Sequence, residues 1–138
     1  MSWKFLDDSI PSECPPLPDD FRAGSEVIIR DIYGSYPGTV IAVGRVWVKV
    51  EANGSSGSGS GIVRRFRLDT QEDESNRGTP GYFRTPEQQR FFESQADAAK
   101  YLHTIGVRME YGTPMLQGKV LELARLIHGS GLVPNVEP

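Results

Sequence analysis

Cysteine is all but missing: Cys14 is the single one in 138 residues. It makes no internal disulfide, and no thiolate cage for a metal can be assembled around it. A reducing compartment, the cytoplasm, is therefore the expected setting. Histidine is scarce as well, with only His103 and His128. Neither belongs to an HExxH, GxSxG or Cys–His arrangement, so hydrolytic and metal-assisted chemistry lacks its usual signatures. No basic neighbour in sequence stands beside Cys14 to lower its pKa. The acidic pairs Asp7/Asp8 and Asp19/Asp20 and the run Glu72/Asp73/Glu74 lie in polar stretches, where solvated surface is the expected role; acid–base work needs burial. No apolar run reaches the roughly 18–20 residues of a membrane-spanning helix. The opening, MSWKFLDDSIPSEC, has neither a basic start nor an apolar stretch, so no secretory signal is expected. These absences predict a chain that is not an enzyme, holds no cofactor or metal, and has no membrane partner.

Charge is present in both signs but unevenly placed. The formal net charge is −3. Residues 1–24 carry two basic and five acidic groups, whereas residues 25–68 carry six basic and three acidic ones. Residues 69–85 and 86–138 are mildly acidic again. A basic centre thus sits between acidic flanks.

The first 24 residues contain Pro11, Pro15, Pro16 and Pro18 and read as an irregular arm, with Trp3, Phe5 and Leu6 available to anchor it over the body. From Ser25 the pattern turns to short β-type runs. Glu26–Ile32 (EVIIRDI) and Thr39–Val43 (TVIAV) are rich in branched residues, and the glycines and Pro37 of YGSYPG between them suit a turn. Arg45–Glu51 (RVWVKVE) alternates cleanly: Val46, Val48 and Val50 share one face, Arg45, Trp47, Lys49 and Glu51 the other. Ile62–Leu68 (IVRRFRL) puts Ile62, Phe66 and Leu68 with Arg64, opposite Val63, Arg65 and Arg67. Short strands with close turns and no crossover helices predict a small antiparallel barrel or sandwich over residues 25–84. NGSSGSGSG at 53–61 has no side chains to bury and reads as a flexible loop, native or introduced, with no chemistry assigned to it. Asp69–Pro80 reads as a second loop, and Tyr82 and Phe83 as a short closing strand.

Residues 85–138 predict a tail of two helices that covers the barrel. Thr85, Pro86 and Gln88 supply an N-cap, a first-turn proline and a capping-box partner. Phe91, Ala98, Leu102 and Ile105 follow as a stripe, with Phe92, Ala96 and Ala99 broadening it and Gly106 as a stop. A second helix is predicted from Thr113 and Pro114 to about Gly129, with Leu116, Val120, Leu123 and Ile127 on its apolar face.

The stretch AGSEVIIRDIYGSYPGTVIAVGRVWVKVE resembles the KOW and Tudor-like members of the SH3-like barrel group, in which a glycine precedes a branched run, here Gly38 before Thr39, Val40 and Ile41. The resemblance covers Gly24 to about Leu68. The order VGRVWVKV, RFRLDT and a capped helix is also similar to small β-barrel proteins of actinobacterial phages. It implies an α+β fold, a small SH3-like antiparallel β-barrel with a C-terminal helical tail, encoded by a phage and acting in the host cytoplasm. KOW and Tudor domains commonly bind nucleic acid or peptides, whereas the similarity to the phage proteins implies a setting rather than an activity.

The surface to watch is the outward side of the third and fourth strands. Arg45, Trp47 and Lys49 project together, and Arg65 and Arg67 join them if the strands pair. An aromatic flanked by cations can stack bases of a single strand, or else be covered by the tail or arm with the arginines snorkelling around it. Tyr33 and Tyr36 are secondary aromatic candidates. The acidic total, the small basic excess and the apolar helices favour a host or phage protein as partner, with single-stranded nucleic acid the second reading.

Overall fold

A computed structural model describes residues 2–31, 34–53, 62–73, 81–107 and 119–138. Five strands form one antiparallel sheet: β1 (Glu26–Asp31), β2 (Gly34–Val43), β3 (Trp47–Ala52), β4 (Val63–Arg67) and β5 (Tyr82–Arg84), in the order β4-β3-β2-β1-β5. Two helices follow among the described residues, α1 (Pro86–Thr104) and α2 (Val120–Ser130). The class is α+β, as the alternating runs and the helix-start signals predict.

The chain divides into two compact units, residues 16–89 and residues 1–15 with 90–138, and the division falls within α1. In the sheet unit, Val27, Ile29, Val40, Val48, Val50, Phe66 and Phe83 are buried on one face, with Phe21 stacked on Phe83 at 5.8 Å. Each such side chain contributes about 1.5–3 kcal/mol by leaving water. The sheet is curled. A bulge in β2 between Val40 and Ala42 bends it. Isolated bridges Phe66↔Asp73 and Glu72↔Tyr82 let residues 72 and 73 span the two edge strands.

The turn predicted at 33–38 is not there. β2 begins at Gly34, and Tyr36, Pro37 and Gly38 pair with Ile29, Ile28 and Val27 of β1. Only residues 32 and 33 lie between the two strands. Proline is tolerated because its carbonyl accepts from the Asn53 N–H, which puts its missing donor on the side where β3 has just ended. Glycine at 38 is demanded by packing: a Cβ there would lie 2.8 Å from Ile29 Cδ1 and 2.8 Å from Val50 Cγ1. β3 starts at Trp47 rather than Arg45, so Val46 falls in the connection and is 45 % exposed.

The start of α1 follows its predicted chemistry. The Thr85 hydroxyl accepts from the Gln88 N–H at 3.1 Å, and the Gln88 side-chain oxygen accepts from the Thr85 N–H at 3.0 Å, so two orphan donors are satisfied reciprocally. Gly106 closes the helix with φ +91. The buried stripe of α1 is Phe91, Ser94, Ala98, Tyr101 and Leu102, turned toward Ser94 and Tyr101 and away from Ala96, which is exposed.

In the second unit Trp3, Phe5 and Ile10 of the arm share a core with Phe91, Tyr101, Leu102, Val120, Leu121 and Ala124. Arg125 holds the arm: its guanidinium donates to the carbonyls of Phe5, Asp7 and Ile10 and to the Ser12 hydroxyl. Val120, Leu121 and Ala124 are the buried positions of α2. The predicted start at Thr113 and Pro114, with Leu116, lies outside the described residues, as do most of the glycine-serine loop and residues 74–80. No described helix is long and apolar enough to cross a membrane.

Candidate binding surface on strands β3 and β4

The two-residue period fixes the surface. In β3 Val48, Val50 and Ala52 are buried, so Trp47, Lys49 and Glu51 project outward. In β4 Phe66 is buried and Val63, Arg65 and Arg67 project outward. The register sets Trp47 opposite Arg67, Lys49 opposite Arg65 and Glu51 opposite Val63. Trp47, Lys49, Arg65 and Arg67 are thereby brought onto one patch, and Arg45 precedes them in the β2–β3 connection.

Trp47 is half-buried, and its cover is cationic. The Arg65 guanidinium lies 4.1 Å from the ring centroid and that of Arg67 5.6 Å. Such cation–π contacts are worth about 0.5–1 kcal/mol at exposed sites and hold a flat, preordered surface. Arg67 also makes a two-pronged pair with Asp69, Nε at 2.9 Å and the second nitrogen at 3.0 Å. The Asp69 carboxyl is held below its ordinary pKa by that hydrogen bond, and the Arg67 guanidinium is raised by the same partner. Both groups are open to solvent, so screening keeps the pair weak. Arg45 and Lys49 are exposed and make no ion pair among the described residues. A cleft of about 280 Å³ is lined by Arg45, Val46, Arg67, Leu68 and Asp69. Exposed aliphatic groups are Ile41 on β2, Val46 in the β2–β3 connection and Val63 on β4.

Of the two tyrosines, the structure places only Tyr36, and places it elsewhere. Tyr33 lies outside the described residues. Tyr36 is only 4 % exposed and belongs to the inner face of the sheet. Its hydroxyl donates to Asp31 Oδ2 at 2.7 Å and accepts from the Arg64 guanidinium at 2.7 Å. Arg64 in turn bonds Asp31 and, at 3.0 Å, Asp73, whose carboxylate also accepts from the Gly81 N–H. The Asp31 and Asp73 side chains are 7 % and 6 % exposed. This clasp ties β1, β2 and β4 to the segment spanning the sheet edges. Burial, then the hydrogen bond to Asp31, raises the Tyr36 hydroxyl above its ordinary pKa. Burial lowers the Arg64 guanidinium, but its Tyr36 and Asp31 partners outweigh that and leave it raised. The one sequence signal for the clasp was Arg64 on the inward side of an otherwise apolar strand face; its carboxylate partners are far apart in sequence.

His103 is exposed on α1, and His128 packs 6.1 Å from the Phe5 ring and 5.7 Å from that of Tyr101. Cys14 is exposed, its thiol 3.7 Å from the Pro15 carbonyl. Among the described residues no group of three His, Cys, Asp or Glu side chains is placed to hold a metal ion.

A family model described as the phage ProQ C-terminal-like domain matches residues 1–127. No curated protein and no solved structure matches the chain.

Proposed function

As the chain belongs to the phage ProQ C-terminal-like domain family, we propose that it is a non-enzymatic binding module, an accessory protein of SH3-like build that engages a host or phage protein in the host cytoplasm. Its working surface is the outward side of β3 and β4. The observation that carries this reading is the half-buried Trp47 under the Arg65 guanidinium, left on the outer face of a sheet whose inner face already has a complete core. Tryptophan and arginine are the residue types that dominate binding energy at protein interfaces, where well-packed anchors are ringed by near-neutral contacts. The exposed Ile41, Val46 and Val63 supply apolar rim.

Single-stranded nucleic acid is the second reading, favoured by the gathering of Lys49, Arg65 and Arg67 around an indole. Two features weigh against it. One approach to the ring is taken by a guanidinium, which a stacking base would have to displace. Glu51 and Asp69 stand in the same patch and repel a phosphate chain.

A fluorescence titration in a Trp3→Phe background, where only Trp47 reports, separates the two. Short single-stranded DNA and RNA at low salt are expected to leave Trp47 emission unchanged. Saturable quenching that fades as salt rises would overturn the protein-binding reading.

A further inference from the structure

The binding surface is more basic than the molecule that carries it. Arg45, Lys49, Arg65 and Arg67 stand against Glu51 and Asp69 on the patch, whereas the chain as a whole is −3. Arg67 is already paired with Asp69. Arg45 and Lys49 make no ion pair among the described residues, and they flank Trp47 from both sides in sequence. Beside Arg45 the cleft combines two guanidinium-bearing walls, Arg45 and Arg67, with two apolar ones, Val46 and Leu68.

Resting on the protein-binding reading above, we infer that the partner enters this face as an acidic segment of extended chain. One of its carboxylates seats between Arg45 and Arg67, and its aliphatic side chains lie on Val46 and Leu68. A single carboxylate suits this cleft better than a phosphate chain does. The Arg67 fork is exposed and only weakly held by Asp69, so it can share a second carboxylate. Guanidinium groups match carboxylates with paired hydrogen bonds, and charge pairs of this kind chiefly set encounter rate and selectivity. Alternation of acid and aliphatic residues in the ligand would fit the alternation of cationic and apolar walls.

The test is a titration of the isotope-labelled full chain, followed by backbone amide shifts. The probes are a short peptide alternating Asp and Leu, a neutral one alternating Ser and Leu, and an oligothymidylate. With the acidic peptide, shifts are expected at Arg45, Val46, Arg67 and Leu68, with affinity falling as salt rises. Arg45→Ala, on an exposed connection, is expected to weaken binding about two- to fivefold, and Lys49→Ala by a similar factor. If the neutral peptide shifts the same amides as strongly, the acidic partner is overturned while a protein-binding face survives. If oligothymidylate shifts them and the acidic peptide does not, both readings fall. If the acidic peptide shifts no amide of this face, or binds equally to Arg45→Ala and Lys49→Ala, the inference is overturned on its own.

Discussion

Tyr36 shows how much of this molecule is decided at single side chains. Read in YGSYPG it is a turn aromatic; in the fold it is an inward strand residue whose hydroxyl closes a clasp with Asp31 and Arg64. Proline and two glycines so close together outweigh the β signal of Tyr36 locally, and only pairing with Ile29 on one side restores it. The clasp has a pH consequence. The folded chain holds the phenol protonated above the ordinary value near 10, because the site is desolvated and its acceptor is a carboxylate. Above that value the unfolded chain ionises first and binds fewer protons than the folded one. The stabilising contribution is therefore whole below about pH 10 and is lost as pH rises through the folded pKa. Urea denaturation between about pH 9 and 11.5 is expected to show a steeper alkaline loss of stability in the wild type than in Tyr36→Phe. Equal slopes would mean that the hydroxyl does not titrate with folding.

At the scale of elements, the best-read feature was the start of α1. Thr85, Pro86 and Gln88 announce it in sequence, and the reciprocal bonds of Thr85 and Gln88 are present. The strand β3 was equally legible, because alternation of valine with charge has one reading on a half-buried sheet. What sequence could not convey was the company these elements keep. The Gln88 amide also exchanges two hydrogen bonds with Gln71, at 2.7 and 3.0 Å, and the Gln71 amide reaches the Phe83 carbonyl. Gln71 has φ 61, the left-handed region, where few side chains settle without such support. Thr85→Ala is thus expected to cost about 1 kcal/mol, the ordinary value of a lost cap. Gln88→Ala should cost more, by about 1–3 kcal/mol, since it leaves the Gln71 amide short of partners in a partly buried site. Thermal or urea melts of the two variants decide it, and equal losses would remove Gln71 from the explanation.

For the whole molecule, two compact units have separate cores. The helical unit gathers Trp3, Phe5 and Ile10 from the arm with α1 and α2, an arrangement that no periodicity announces because the arm is short and broken by proline. The sheet unit buries one face and leaves the other with Trp47 and its cations. The outward placement of Trp47, Lys49, Arg65 and Arg67 follows from alternation once the strands pair, whereas Arg45 lies before β3 and outside that alternation. The stacking of Arg65 over the indole was not legible, since it depends on register across the glycine-serine loop.

The decisive measurement is photo-cross-linking from position 49. A photoreactive phenylalanine replaces Lys49 at the centre of the patch, with the same residue at exposed Thr104 as control, in the full chain expressed inside the bacterium that the phage infects. A discrete protein adduct from position 49 alone, diminished by Trp47→Ala, is the expected result. Adducts to nucleic acid, or protein adducts indifferent to Trp47, would contradict a protein-binding role for this face.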